Sequence, residues 1–231
     1  MNINKLKNSI PFLISRYFSF PVGFLSLLLG VVFLFNFKSC ASEVIEFKNA
    51  VQSAEENFLE GSIEARSTLL KTAYSGTNTI AYYQEEKGEI EEKSTSGKLK
   101  KKNAVISLKS SAIPFLMKSK NNYIYFGLYG KEFFIDHGYD YVNNLNSKVQ
   151  LEKHIYDKDY ISIYTEKGDL RYPDSVKTSF IFFRGKREDW LLEIQKRIDV
   201  WNEKIYYSYY LIYIGVTLIL GSIIIRYFFK I

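Results

Sequence analysis

Residues Tyr17 to Phe37 read YFSFPVGFLSLLLGVVFLFNF, and residues Ile205 to Ile225 read IYYSYYLIYIGVTLILGSIII. Neither stretch contains a charged residue, and each runs for 21 residues between basic positions. A helix rises about 1.5 Å per residue and the hydrocarbon core of a bilayer is about 30 Å thick, so each stretch is long enough to cross it. The sequence therefore predicts two transmembrane helices, one near each end of the chain.

A polar segment of 167 residues, 38–204, lies between the two apolar stretches and carries too many charges for a lipid environment. The chain is thus predicted to be a membrane hairpin, which crosses the bilayer over 17–37 and crosses back over 205–225. Two basic tails, 1–16 and 226–231, complete the organisation.

The formal net charge of +6 resides mainly in these tails. Residues 1–37 hold three basic residues and no acid, and residues 205–231 hold two basic residues and no acid. The segment between them is nearly neutral, with 26 basic and 25 acidic residues. Basic residues beside membrane spans mark the cytoplasmic side and attract anionic lipid, so we expect both termini to be cytoplasmic and expect no nucleic-acid partner. The expected location is a bacterial inner membrane or an organelle membrane.

The first apolar stretch has a second interpretation, a cleavable signal peptide. A cationic start and the sequence Ser39-Cys40-Ala41 are typical of one. The apolar run is longer than the usual hydrophobic region of about 7–15 residues, which favours an uncleaved anchor.

The polar segment becomes rich in β-formers after Gly61, in short runs separated by Gly, Asn, Asp and Lys. The predicted strands are Phe58–Arg66, Thr79–Gln84, Ala104–Lys109, Tyr123–Leu128, Glu132–Ile135, Tyr160–Thr165 and Thr178–Phe183. Strands of this length and spacing are typical of an antiparallel barrel or sandwich. Together with the helices at both ends, they predict an α+β membrane protein with a mainly antiparallel β domain.

Helical periodicity flanks the predicted strands on both sides. Val44, Phe47 and Val51 indicate a helix over 41–57 that continues the first span. Residues 187–204 form an amphipathic pattern whose apolar face comprises Trp190, Leu191, Ile194, Ile198, Trp201 and Ile205. Because neither Pro nor Gly follows before the second span, one continuous helix over 188–227 is predicted.

Residues 85–102 are acidic in their first part and rich in lysine in their last part. We interpret this segment as an exposed charged hairpin loop whose two halves attract each other. A patch that binds phosphate or lipid headgroups is the alternative.

Residues with catalytic or metal-binding chemistry are few. Cys40, His137 and His154 are the only cysteine and histidines of the sequence, too few for a zinc ribbon or a RING. The sequence shows neither a Gly-rich phosphate loop nor a nucleophile paired with a histidine. Asp157 and Asp159 are interpreted as part of a turn rather than as metal ligands. The sequence therefore predicts no catalytic residue, no cofactor-binding residue and no metal site.

Four segments of the polar domain follow one another in a recognisable order. The first comprises Gly61-Ser-Ile-Glu-Ala65, Leu70, Tyr74-Ser-Gly76 and Ile80-Ala-Tyr-Tyr83. The second is Leu128–Tyr141 with Gly130, Asp136 and Gly138, and the third is Glu152–Tyr164 with Asp157 before Tyr160-Ile-Ser-Ile163. The fourth comprises Phe180-Ile-Phe-Phe183, Glu188, Leu191-Leu192 and Arg197.

In this order between two spans, the segments resemble GIDE-type membrane proteins, best known as the organelle RING ubiquitin ligases. The resemblance covers residues 38–225 and implies a β-rich domain beside a membrane that binds substrates or partners. Two features depart from the family pattern. Thr79-Ile80 stands where the family has a cysteine, and the chain stops at Ile231 without a RING. Ligase activity is therefore not expected of this polypeptide alone.

The leading functional hypothesis is a non-catalytic binding scaffold at a membrane surface, whose partners are the lipid bilayer and a protein. The alternative is a subunit of an E3 ubiquitin-ligase-like assembly in which another chain supplies the RING. An oligomeric pore is disfavoured, because neither span contains an ionisable residue.

Overall fold

The structure is a computed structural model and describes residues 10–93, 99–120, 122–128, 131–146 and 148–228. Two long helices enclose the strands in chain order, α1 over Ile10–Ser53 and α2 over Arg187–Phe228. Several positions that the sequence singled out lie outside the described residues: Lys5, Lys7, Lys98, Gly130 and Lys230.

The chain divides into two compact units. Met1–Lys48 and Glu193–Ile231 form the helical unit, and Asn49–Leu192 form the β unit. Both boundaries fall inside a helix, so the β unit is shorter at each end than the polar segment 38–204.

The described residues contain twelve strands in three sheets. The strands are β1 Phe58–Ala65, β2 Leu70–Lys71, β3 Asn78–Thr79, β4 Ala81–Lys93, β5 Leu99–Ala112, β6 Phe115–Ser119, β7 Asn122–Phe126, β8 Phe133–Ile135, β9 Tyr141–Leu145, β10 Lys148–Ile155, β11 Tyr160–Thr165 and β12 Phe180–Arg184. A single 3₁₀ turn, Pro173–Ser175, precedes β12.

The six-stranded sheet has the order β7-β6-β1-β11-β12-β8, and the four-stranded sheet has the order β5-β4-β10-β9. The short strands β2 and β3 form the third sheet. Every pair is antiparallel except β12 with β8, which is parallel. The predicted α+β class with a mainly antiparallel β region is therefore confirmed, and in the described part of the chain the strands form three open sheets.

The predicted charged hairpin loop over 85–102 is wrong, because most of this segment is strand. β4 continues through Lys93 and β5 begins at Leu99, and residues 94–98 between them lie outside the described residues. Opposite charges on facing strands stabilise a ribbon that buries little apolar surface. The charged composition of residues 85–102 therefore did not show whether they form a solvated loop or the paired strands of a long hairpin.

Both larger sheets contribute to one hydrophobic core. Phe115 and Phe126 stack at 5.1 Å between ring centroids, and the Phe182 ring meets Phe115 edge-on. Ile80 and Ile155 extend the same core towards the four-stranded sheet. Full burial of such a side chain contributes roughly 1.5–3 kcal/mol, so this cluster is the main source of stability in the β unit.

The helical unit contains two helices that are long and apolar enough to cross a membrane, within Phe18–Ser53 and Arg187–Ile225. Their backbones touch at glycines: a Cβ added at Gly215 would lie 2.7 Å from the carbonyl oxygen of Gly23. Ser26 Oγ also donates a hydrogen bond to the carbonyl oxygen of Leu211 at 2.9 Å. Small residues allow this close approach, which brings α1 and α2 together along their apolar stretches.

Candidate functional site

The two histidines, which are 17 positions apart in the sequence, meet at one carboxylate. His137 Nε2 lies 3.0 Å from Asp140 Oδ2, and the backbone N–H of His154 donates to the same oxygen at 2.8 Å. Cys40 lies in α1 and belongs to the helical unit.

The rings of the two histidines have separate hydrogen-bond partners. The His154 ring does not bond to Asp140; its Nδ1 lies 3.0 Å from the Tyr156 hydroxyl and its Nε2 lies 3.0 Å from Glu152 Oε2. Within the described residues there is no group of three or more His, Cys, Asp or Glu side chains placed to hold a metal ion.

Glu152 is the centre of a buried polar network on the four-stranded sheet. Its side chain is fully buried, yet its carboxylate accepts hydrogen bonds from the backbone N–H groups of Tyr74 and Ser75. The Gln84 amide and the Ser75 hydroxyl also donate to it. These donors join the loop after β2 to strands β4 and β10.

The charged form of Glu152 is stabilised inside the protein. Burial alone would raise the pKa of this carboxyl, but the hydrogen bonds from Ser75, Tyr74, Gln84 and His154 lower it below its usual range. Glu152 and His154 are both shielded from solvent. The hydrogen bonds of the network hold the loop after β2 on the four-stranded sheet.

Asp140 carries a second cluster of charge. Arg184 Nη2 donates to Asp140 Oδ1 at 2.7 Å, on the side opposite the oxygen that His137 contacts. Burial alone would raise the pKa of Asp140. The hydrogen bonds from His137 and from the backbone of His154, together with the positive charge of Arg184, instead lower this pKa to about 2. The cluster joins the segment before β9 to strands β10 and β12.

The segment with Asp157 and Asp159 is a turn, as predicted. Asp157 Oδ1 accepts the backbone N–H of Ala65 at 2.8 Å, and Asp159 Oδ2 accepts that of Tyr156 at 2.8 Å. Lys158 between them has φ of +67°, the left-handed conformation that tight turns require. Both carboxylates therefore stabilise the connection from β10 to β11.

An open cavity of about 480 Å³ lies on the β unit. Its wall includes Phe58, Leu59, Lys120 and Arg187. The Arg187 guanidinium lies 3.7 Å from the centroid of the Phe58 ring and bonds to the carbonyl oxygen of Ala54. Arg187 thereby ties the start of α2 to β1, which gives this cation a packing role.

Strand β5 exposes several aliphatic side chains. It lies at one end of the four-stranded sheet, and its exposed aliphatic side chains are Val105, Ile106 and Leu108. Val142 and Leu145 are exposed on β9 at the opposite edge. Exposed edge strands with aliphatic side chains are sites where another strand can add. Of the described surfaces, β5 is thus the best candidate for binding.

The ribbon of β4 and β5 combines an acidic strand with a basic one. In its backbone register, residue 91 lies opposite residue 101 and residue 92 lies opposite residue 100. Lys101 Nζ lies 3.1 Å from Glu89 Oε2. This ion pair joins the acidic half of the segment to the basic half, between two strands rather than within a loop.

Sequence reasoning predicted neither the burial of Glu152 nor the position of β5 at the edge of a sheet. The alternation of Val149, Leu151 and Ile155 with polar residues could have revealed β10, but it would have placed Glu152 on a solvent face. For β5, the run Ala104–Lys109 was recognised as a strand, but its position in the sheet has no local signature.

Comparison of this chain with protein-family models, curated proteins and solved structures gave no match. The resemblance to GIDE-type proteins therefore enters the functional argument below as a proposal.

Proposed function

We propose that this protein is a non-catalytic binding scaffold, anchored in a membrane by α1 and α2. The observation that carries the anchor is the exposed apolar surface of both helices. Phe35 on α1 is 71% exposed and Ile224 on α2 is 54% exposed, and similar side chains continue along both apolar stretches. Exposed apolar surface costs about 25 cal/mol per Å² in water, a cost that lipid removes.

The binding role is supported by the exposed β5 edge and by the resemblance to a family whose β domain binds substrates or partners. The polar clusters at Glu152 and Asp140 are occupied by internal hydrogen bonds. The surface that we assign to a partner is the β5 edge, which carries aliphatic and basic side chains. A RING supplied by another chain would make the same scaffold a ligase subunit, which is the alternative proposal.

Alkaline extraction of membranes that contain the full chain tests the anchor. The wild type is expected to stay with the lipid. The double variant Leu25→Arg/Leu28→Arg should be extracted more readily than the wild type, because one arginine at the centre of a span costs about 2.5–3.5 kcal/mol and only α2 then remains as an anchor. A matched pair on the same helix, Ser42→Arg/Ile45→Arg, lies beyond the apolar stretch and should leave integration unchanged. Extraction of the wild type with peripheral proteins would refute the anchor.

Cross-linking in intact membranes followed by mass spectrometry tests the binding role. A partner recovered with the wild type at constant stoichiometry supports the scaffold. Recovery of a RING protein or an E2-like enzyme would favour the ligase-subunit alternative. Recovery of the chain alone would contradict both.

A further inference from the structure

Strand β5 offers a hydrogen-bonding edge to a further strand. It comprises Leu99–Ala112 and has β4 as its one neighbour in the order of the four-stranded sheet. The end strand of a sheet presents a row of backbone N–H and C=O groups on its outer side. A long edge of this kind is the surface used when a peptide adds as an extra strand.

A bulge arranges the aliphatic side chains of this edge. The pairing of β4 with β5 shifts between Glu86 and Lys87, so Leu108 faces Glu85 and Val105 faces Lys87. Because residues 85 and 87 share one face of β4, Val105 and Leu108 share that face although they are three positions apart. The two exposed side chains therefore form one small apolar patch beside the free edge.

The charge of β5 indicates what kind of strand it accepts. The strand carries four lysines, at positions 100, 101, 102 and 109, and no acid. Its known neighbour β4 carries five glutamates, at positions 85, 86, 89, 91 and 92. The pairing already present is thus between a basic strand and an acidic one, as the contact of Lys101 with Glu89 shows.

A second copy of β5 is disfavoured by the same charges. If two β5 strands paired antiparallel about the midpoint of Ala104 and Val105, Lys100 of one copy would face Lys109 of the other. Shifting the centre towards Leu108 by half a residue sets Lys101 opposite Lys109, and shifting it by one residue sets Lys102 opposite Lys109. Like charges directly opposite each other destabilise a strand pair. A strand with acidic side chains avoids this repulsion.

We propose that β5 binds an extended, acidic segment of a partner protein, which adds as a fifth strand to the four-stranded sheet. This inference rests on the proposed binding function and assigns its surface. Backbone hydrogen bonds to β5 hold the segment. Its carboxylates face the lysines, and its alternate aliphatic side chains cover Val105 and Leu108.

The test uses the full chain in lipid nanodiscs and a fluorescent heptapeptide of alternating glutamate and valine, blocked at both ends. Fluorescence anisotropy should show saturable binding. A peptide of alternating lysine and valine should not bind. A glutamate–valine peptide with N-methyl groups on alternate residues has the same charge but cannot extend a sheet, and it should bind at least about tenfold more weakly.

Two single variants locate the site. Lys109→Glu, opposite Gln84 on β4, should weaken binding of the acidic peptide by about tenfold, because an attraction becomes a repulsion. Lys177→Glu makes the same charge change at an exposed position outside the strands and should have little effect. Folding of both variants is checked by circular dichroism.

Four outcomes would overturn the proposal. Equal binding of the N-methylated peptide would show charge attraction without strand addition, and equal loss in Lys177→Glu would show a general effect of net charge. Self-association that the acidic peptide inhibits would assign the edge to a second copy. If the peptide fails to bind while cross-linking still recovers a partner, the scaffold proposal survives and only its assignment to β5 fails.

Discussion

Trp190 Nε1 donates a hydrogen bond to Asp136 Oδ2 at 2.7 Å, and this bond joins the first turns of α2 to the end of β8. Trp190 is fully buried, and its ring stacks on Phe183 at 5.4 Å with an interplanar angle of 3°. The bond and the stacking together anchor α2 within the β unit.

Replacing Trp190 should therefore destabilise the β unit in two steps. Trp190→Phe keeps much of the stacking but leaves the Asp136 carboxylate without this donor, at a cost of about 1–3 kcal/mol. Trp190→Ala also creates a cavity and should cost about 3–5 kcal/mol. The free energy of unfolding in urea, followed by circular dichroism, measures both. Leu192→Ala is the control, because Leu192 is 62% exposed two positions further along the helix. Similar losses in all three variants would contradict this assignment.

Asp140 should make stability depend on pH in the acid range. The pKa of Asp140 is about 2 in the folded chain, below its ordinary value of 3.8. Its contribution to the free energy of unfolding is therefore complete above about pH 4 and is lost as the pH falls towards about 2. A shift of this size corresponds to about 2 kcal/mol. Unfolding in urea at several pH values should show this loss of stability in the wild type. The control Asp174→Asn should behave like the wild type, whereas the stability of Asp140→Asn should depend less on pH. Parallel profiles for all three proteins would exclude the mechanism.

Replacing Glu152 by an uncharged residue should destabilise the β unit. Glu152→Gln keeps the size of the side chain but replaces one acceptor oxygen by a donor, which then faces donors such as Ser75 and Gln84. A loss of about 2–3 kcal/mol in the free energy of unfolding is expected, since buried donors lose a charged acceptor. Glu64→Gln on β1 is the matched control at an exposed position. An equally small effect at both positions would show that the network contributes little.

The contact between α1 and α2 should depend on Gly215 far more than on Gly221. A Cβ at Gly215 would lie 2.6 Å from the Leu27 backbone nitrogen, whereas a Cβ at Gly221 meets nothing within 4 Å. Gly215→Ala should thus separate the helices and cost about 1–3 kcal/mol by overpacking. Gly221→Ala should be neutral or slightly stabilising, because alanine favours helix. Thermal unfolding in detergent compares the two, and equal midpoints would contradict the close packing.

Both termini are expected on the cytoplasmic side of the membrane and the β unit on the other side, because the tails are purely cationic. In a Cys40→Ser background, Lys177→Cys should react with an impermeant maleimide applied to intact cells, and Asn2→Cys should not. Opening the membrane should make Asn2→Cys reactive. The reverse pattern of protection would invert the topology.

Much of the architecture could be predicted from local sequence. β11 was predicted with its observed bounds, Tyr160–Thr165, because five of its six residues are β-branched or aromatic. β10, Lys148–Ile155, was missed because five of its eight residues are polar and two of these are lysines. β-Propensity thus identified a strand made mainly of β-branched and aromatic residues and failed for one made mainly of polar residues.

The sequence by itself determined the two long helices and their separation by a β-rich segment, because uncharged stretches of 21 residues and β-branched runs act locally. Only the tertiary structure decided which polar side chains are buried. Glu152 is enclosed because Tyr74 and Ser75, 78 and 77 positions away, lie over its strand. It also decided that β5 is an edge, since the order of strands in a sheet depends on contacts distant in sequence, which composition does not encode.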